Sequence, residues 1–242
     1  MLKYSVISPV HNEAGNIEEL TNRVYKSMRD FCGDNSWEFI LVDDCSSDNS
    51  KDVIRKQSLI YPQIRYILHK VRSGQTGCFK SGFAEAKGEV VITIDADLQV
   101  FPEDIPYLLT FMEQGYDLVN GKRTQRQDAV LINLGSRIFN ILMHILFKLP
   151  TFDATSNFAA IRSGFVRNLK LIDNDHRYLI PILKKKGLNN IKEVPVRHQK
   201  RKMGNSKYSI KKLMTGLPEL VKVYLRIKKS DIYCFTGENN HE

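Results

Sequence analysis

The chain lacks the features that mark several large classes of protein. Only four cysteines, Cys32, Cys45, Cys78 and Cys234, occur in 242 residues. No two of them share C-x-x-C spacing, so nothing encodes a disulfide framework, and a reducing cytosol is the simplest expectation. No apolar run reaches the roughly 18 residues that would cross a bilayer. The N-terminal MLKYSVISPV has a short apolar run that reads as a first strand and not as the core of a secretion signal. No G-x-G-x-x-G follows that strand, and G-x-x-x-x-G-K-[ST] occurs nowhere, so two common phosphate cradles are missing. Internal repeats and low-complexity linkers are also absent.

The material that is present is that of a folded domain. Apolar residues make up 42% of the chain, an ordinary globular value, and the length suffices for a real core in one large or two small domains. Net charge is +9 and unevenly spread, because residues 184–229 carry fifteen Lys and Arg against only Glu193 and Glu219. Such a basic third calls for an anionic partner: nucleic acid, an acidic membrane or a phosphorylated substrate.

Short apolar runs alternate with segments of helical spacing. Strands are expected at Tyr4–Ser8, Glu38–Val42, Ile64–Leu68, Val90–Ile94 and Tyr116–Asn120, with Pro9 breaking the first. Helices are expected at Ile17–Phe31, with Asn16 as N-cap, and at Ser50–Ile60, Ser73–Ala86 and Glu103–Glu113. This alternation predicts an open, doubly wound, mostly parallel sheet flanked by helices. After Gly121 the pattern changes. A strongly apolar helix is expected over Ile132–Leu149, a short strand at Phe158–Ile161, and helices at Gly164–Leu171 and His176–Lys186. A last strand, Ile191–Val196, precedes a basic loop, HQKRKMGNSKY, and an amphipathic helix, Ser209–Lys228, which Pro218 is expected to divide.

The chemistry concentrates where strands end. In VVITIDADLQ a buried strand runs into Asp95, Asp97 and Gln99. Two carboxylates and a carboxamide offer hard oxygen ligands to Mg²⁺ or Mn²⁺, which in turn would hold a diphosphate. A strand followed by a polar turn is the plain alternative. Two further polar loops, PVHNEAGN and VDDCSSDNS, follow the first and second strands. All three fall at the carboxyl ends of parallel strands, where ligands of open α/β sheets collect.

The motifs in this order resemble those of family 2 glycosyltransferases: P-x-x-N-E-x-x-N from Pro9, V-D-D-x-S-x-D from Val42, and D-A-D-L-Q-x-x-P-E from Asp95. Gly74, Gln75 and Gly82, the G-x-R at Gly121–Arg123, and R-x-x-G-x-S-K-Y from Arg201 to Tyr208 are similar to the branch that acts on polyprenyl phosphates. The likeness runs from about residue 3 to residue 212. It implies a GT-A-type sheet, with a catalytic domain over residues 1–208 and an amphipathic interface helix and polar tail over 209–242. It also implies inverting, metal-dependent transfer of a sugar from a GDP- or UDP-sugar to a polyprenyl phosphate. By that resemblance Asp95, Asp97 and Gln99 hold the Mg²⁺ or Mn²⁺. Pro9, His11, Glu13, Val42, Asp44, Ala96, Asp97, Arg201 and Lys207 line the donor nucleotide. Arg123 and Ser136 take the acceptor phosphate, and Asp97, Arg123 and Arg201 carry catalysis. Relatives often have a second arginine four residues before that serine, where Ile132 stands here.

No strong general base is evident. A sugar hydroxyl would need one, whereas a phosphate monoester is already an anion, which favours the lipid-phosphate acceptor. Asp153 is the base candidate for the alternative, transfer to a hydroxyl of a glycan or glycolipid. A third reading, a basic protein binding nucleic acid, leaves the acidic loops without a purpose, so no nucleic-acid partner is expected. The apolar helix Ile138–Leu149 and the basic amphipathic helix Ser209–Lys228 fit a peripheral seat on the cytoplasmic face of a membrane. A membrane-protein partner or a homo-oligomer is also expected.

Overall fold

A computed structural model describes residues 2–124, 130–200 and 210–229, with the side chains of 130–137 and 210–217 outside that description. Seven strands form one sheet in the order β3-β2-β1-β4-β6-β5-β7. They are β1 Tyr4–Val10, β2 Trp37–Asp43, β3 Ile64–Leu68, β4 Val90–Thr93, β5 Leu118–Arg123, β6 Ala159–Arg162 and β7 Ile191–Val196. All neighbouring pairs are parallel except those of β6, which runs antiparallel between β4 and β5. The expected open, mostly parallel sheet is therefore present.

The helices are α1 Ala14–Cys32, α2 Ser50–Ile60, α3 Gly74–Glu85, α4 Ile105–Glu113, α5 Val130–Phe147, α6 Ser163–Val166, α7 Leu179–Lys185 and α8 Ile210–Lys229. They cover both faces of the sheet, which explains why the strands read as continuous apolar runs. Alternate strand residues go to opposite sides. Ile7, Ile40, Val91 and Leu118 enter the core under α3, α5, α7 and α8, while Val6, Leu41, Ile92 and Val119 enter the core under α1, α2 and α4.

Several boundaries differ from expectation, each for a local reason. Pro9 lies inside β1, in register with Val42. Ile7 O accepts the Ile94 amide on the β4 side, and Pro9, two residues on, faces the same side past the end of β4, where a missing N–H leaves no gap in the ladder. Helix α1 starts at Ala14 with Glu13 in the cap position, so Asn16 is within its first turn and donates to Glu13 Oε2 at 2.6 Å. Strand β5 runs on to Arg123 because β7 pairs with it through Arg123↔Val196. The helix expected from Glu103 begins as a 3-10 turn, Pro102–Asp104. Of the helix expected over 164–171, only α6 forms. Helix α8 continues through Pro218. Proline forfeits one helical hydrogen bond there, but Leu220, Val223 and Ile227 lie beyond it in the core and hold the second half in line.

Candidate active site

The turn after β4 is built around two aspartates. Asp97 is only 7% exposed, and its Oδ1 accepts the Gln99 amide at 3.1 Å in an Asx-turn. Between them Leu98 takes φ 58, a left-handed conformation uncommon for a leucine, with its side chain buried. Asp95 is held by two carboxamides. Gln75 Nε2, from the first turn of α3, donates at 2.7 Å, and Asn157 Nδ2, just before β6, donates at 3.2 Å. The donor set is all oxygen and is oriented by amide N–H groups, which fits Mg²⁺ or Mn²⁺ and not a soft ion.

The loops after β1 and β2 are joined into one wall. Ser46 Oγ accepts the Asn12 amide, Asn12 Oδ1 accepts the Ser47 amide, and Ser50 Oγ accepts the Glu13 amide. Asp48 receives the backbone N–H of both Ala14 and Ser50, so one carboxylate caps the starts of α1 and α2. Asn12 and Cys45 take φ 57 and φ 54, which bends both loops over the strand ends. His11 Nδ1 lies 3.0 Å from Asp44 O, and Ser46 N donates to Asp43 Oδ2.

Asp44 is 4% exposed and sits at the start of α3. It accepts the Ser73 amide at 2.6 Å, the Ser73 hydroxyl at 3.1 Å and the Gly74 amide at 3.0 Å. Burial works to raise its pKa, but the hydrogen bonds from Ser73, His69 and Gly74 together outweigh it and hold the carboxyl below the ordinary range. Asp44, His69 and Cys78 place ligand-type atoms within 4.8 Å of one another. Asp44 and His69 are otherwise engaged, however, and Cys78 is a buried thiol. His69 contacts Ser73 and Ser81 hydroxyls through its two ring nitrogens, and burial pushes the Cys78 thiol up to about 12. Asp44, Ser73, His69 and Ser81 form a hydrogen-bonded chain beside the β2 loop.

On the other side of the turn, Arg123 ends β5. Its Nε donates to Asp153 Oδ2 at 2.8 Å and one terminal nitrogen donates to Asp153 Oδ1 at 2.7 Å. Asp153 is nearly buried, and Asn140 and Thr155 also donate to its Oδ1. The lone pairs of Asp153 are thus committed to neighbours, which leaves it poorly suited to take a proton from a sugar hydroxyl. The segment 151–158 carries both Asp153 and Asn157. It therefore links Arg123 directly to Asp95. Gly121 admits its far end, since a Cβ there would stand 2.9 Å from Phe158 O.

The structure brings Asp95, Asp97, Gln99 and Ala96 together in one turn, and His11, Glu13 and Asp44 in the adjoining wall. Val42 and Ala96 turn their side chains into the core and offer only backbone to a ligand. Ser136 belongs to α5 but its side chain is outside the described residues, as are Arg201 and Lys207. Gln199, two residues before Arg201, is pinned to the metal-type turn, its N–H donating to Gln99 O at 2.9 Å and its Nε2 to Leu98 O at 2.7 Å. Asn157, Asn120, Ser73 and His69 escaped the sequence reading. Asn157 stands in the D-x-x-S-N-F stretch, but its contact depends on β6 inserting beside β4, which no local spacing announces.

Known proteins place the chain in a family and a fold. The family model described as glycosyl transferase family 2 matches residues 5–170. An undecaprenyl-phosphate 4-deoxy-4-formamido-L-arabinose transferase from Edwardsiella ictaluri is 36% identical over 219 residues, covering 90% of this chain and 66% of the relative. The enzyme of the same name from Salmonella choleraesuis is 33% identical over 220 residues, with the same coverage. The chain thus spans just under two thirds of the length of these relatives. Among solved structures, glucosyl-3-phosphoglycerate synthase from Mycobacterium tuberculosis, in complex with Mn²⁺, UDP-glucose and phosphoglyceric acid, superposes with a TM-score of 0.71 at 18% identity. That match covers 95% of this chain and 81% of the other. A mannosyltransferase from Pyrobaculum calidifontis, in complex with GDP-mannose and Mn²⁺, gives 0.60 at 17% identity, over 84% of this chain and 58% of the other. These likenesses show the fold, which is of the GT-A type.

Proposed function

The chain belongs to glycosyl transferase family 2, and on that footing we propose that it transfers a sugar from a GDP- or UDP-sugar to a polyprenyl phosphate, with inversion and with Mg²⁺ or Mn²⁺. The observation that carries the reading is the 151–158 segment. It hydrogen-bonds to the carboxylate turn through Asn157 and to a phosphate-type arginine through Asp153, so donor and acceptor ends share one rim. The names of the curated relatives, which specify undecaprenyl phosphate, support the acceptor class.

Asp95, Asp97 and Gln99 would hold the divalent ion, whose charge would offset that of the departing nucleoside diphosphate. His11, Glu13 and Asp44, with backbone from Pro9, Val42 and Ala96, would border the nucleotide. Arg201 and Lys207 would close over the diphosphate. Arg123 would present two N–H groups to the lipid phosphate, whose oxygen attacks the anomeric carbon from the face opposite the leaving group. The phosphate is already an anion, so this route needs no base. Ser136 would add a hydroxyl.

A peripheral membrane seat belongs to the same proposal, with 1–208 as the catalytic domain and 209–242 as the appended interface segment. No described helix is long and apolar enough to cross a membrane. Much of the described apolar stripe of α8 faces the core, and its outward apolar residues are Val221 and Leu225. Helix α5 supplies the broader face, with Ile138, Ile141 and Ile145 exposed at helical spacing beside exposed Phe152. Lys122 lies 5.3 Å above the Phe152 ring. An apolar strip fringed by lysine fits the interface of an anionic bilayer on the cytoplasmic side.

A thermal-shift panel of UDP- and GDP-sugars, each with and without Mn²⁺, tests the donor half. One nucleotide class should stabilise the protein only when the ion is present. Stabilisation equal in EDTA would count against the metal-dependent reading.

A further inference from the structure

Away from the reacting atoms, one largely but not fully buried carboxylate is spent on the backbone of the acceptor segment. Glu193 lies on β7, in register with Asn120 on β5. Its side chain is 10% exposed. Its Oε1 accepts the Phe152 amide at 2.8 Å, the Asp153 amide at 2.8 Å and Asn120 Nδ2 at 3.3 Å. Asn120, fully buried, also donates from Nδ2 to Asp153 O at 3.0 Å. The peptide groups that flank Asp153 are therefore held from both sides, N–H by Glu193 and C=O by Asn120. Lys122 Nζ, on an exposed side chain, lies 4.0 Å from the other oxygen.

A carboxylate is a costly way to fill such a place. Desolvating it is unfavourable unless its hydrogen bonds are complete, and an apolar residue would pack at less expense. What the carboxylate supplies is direction. An oxygen shared by two consecutive N–H groups fixes the orientation of the intervening peptide, and with it the direction of the Asp153 side chain. Asp153 in turn sets the plane of the Arg123 guanidinium through two hydrogen bonds.

We infer that Glu193 is the positioning residue of the acceptor site, acting through Phe152, Asp153 and Arg123 to aim the guanidinium at the acceptor phosphate. The inference rests on the acceptor reading given above and extends it to a residue in none of the recognised motifs. It makes a separable demand, because Glu193 has no contact with the β4 turn or the nucleotide wall among the described residues. Loss of Glu193 therefore disturbs acceptor use and leaves donor use alone.

The test uses the full chain with undecaprenyl phosphate in detergent micelles, Mn²⁺, and the UDP- or GDP-hexose on which the wild type turns over. Initial rates are measured with each substrate varied in turn for Glu193→Ala, Glu193→Asp and Glu193→Gln. Gln keeps the accepting oxygen at the same reach, whereas Asp keeps the charge but withdraws it by one methylene. The expected result is a KM for the lipid phosphate raised about tenfold in the Ala and Asp variants. Their donor KM should stay within about twofold, and the Gln variant should lie within about threefold of wild type throughout. Should the Ala variant fail to fold, the Asp and Gln pair decides. Equal changes in both KM values, or a Gln variant as impaired as Asp, overturns the assignment. Wild-type protein that transfers nothing to the lipid phosphate overturns the functional reading, and this inference with it.

Discussion

Arg123 and Asp153 meet in a two-pronged ion pair, Nε to Oδ2 at 2.8 Å and a terminal nitrogen to Oδ1 at 2.7 Å, with the carboxylate almost wholly buried. The cation that sequence reasoning assigned to the acceptor and the carboxylate it held in reserve as a base are one unit. The pairing weighs against Asp153 as a base for a hydroxyl acceptor and gives the guanidinium a fixed plane.

Arg123→Ala should lower kcat/KM for the lipid phosphate by about 100-fold or more, the scale seen when a preorganised donor to developing or transferred charge is removed. Arg123→Lys should recover little of it, because a lysine cannot keep both the fork to Asp153 and a contact to phosphate. Nucleotide binding, followed as a thermal shift with UDP or GDP and Mn²⁺, should not change. A wild-type rate in either variant would remove Arg123 from the acceptor site.

Asp97→Asn keeps the shape of the turn, since an amide oxygen can still accept the Gln99 N–H. It takes away a charge that a divalent ion requires. The Mn²⁺-dependent part of the nucleotide thermal shift should disappear while the melting temperature of the unliganded protein stays within a few degrees. Asn157→Ala should produce a weaker version of the same loss, about tenfold in apparent metal affinity, as expected for a residue that orients a ligand without touching the ion.

Asp44 makes a pH prediction. Its carboxyl titrates below the ordinary range in the folded chain, so the charged form is the one the fold favours. That stabilisation is fully present above the unfolded value, about 4, and is lost as pH falls through the lower folded value. The difference in melting temperature between wild type and Asp44→Asn should therefore be largest near neutrality and shrink below about pH 4. A gap that widened in acid would reverse the sign and contradict the hydrogen-bond account.

Gly121→Ala tests the packing of the acceptor segment. The new Cβ would meet Phe158 O at 2.9 Å and a Phe158 ring carbon at 3.0 Å, and the backbone oxygen cannot swing aside. Overpacking of this kind costs about 1–3 kcal/mol, a drop of roughly 2–4 °C in melting temperature per kcal/mol at this size.

The loops proposed to hold the donor were legible in the sequence because they are local. A strand running into Asp95-Ala96-Asp97, or into Asp43-Asp44, shows its polar end in consecutive residues, and parallel strands bring such ends to one rim. The residues proposed for the acceptor were legible only as separate motifs. Arg123 and Asp153 are thirty residues apart, and they meet because β6 inserts antiparallel beside β5. Glu193 and Asn120 belong to no motif, and only the β5–β7 register makes them neighbours. Pro9 and Pro218 misled for one reason. Local propensity marks a break, but the β1–β4 ladder has already ended where Pro9 stands, and core packing of Leu220, Val223 and Ile227 overrides the second.

The most direct measurement is a transfer assay with a UDP- or GDP-sugar panel, in which undecaprenyl phosphate in detergent competes with soluble glycan acceptors, run with Mn²⁺ and with EDTA. Under the proposed mechanism a glycosyl phospholipid of inverted anomeric configuration forms, only with the ion, and is lost in Arg123→Ala. Transfer to the glycan hydroxyl in preference to the lipid phosphate, or undiminished transfer in EDTA, would contradict it.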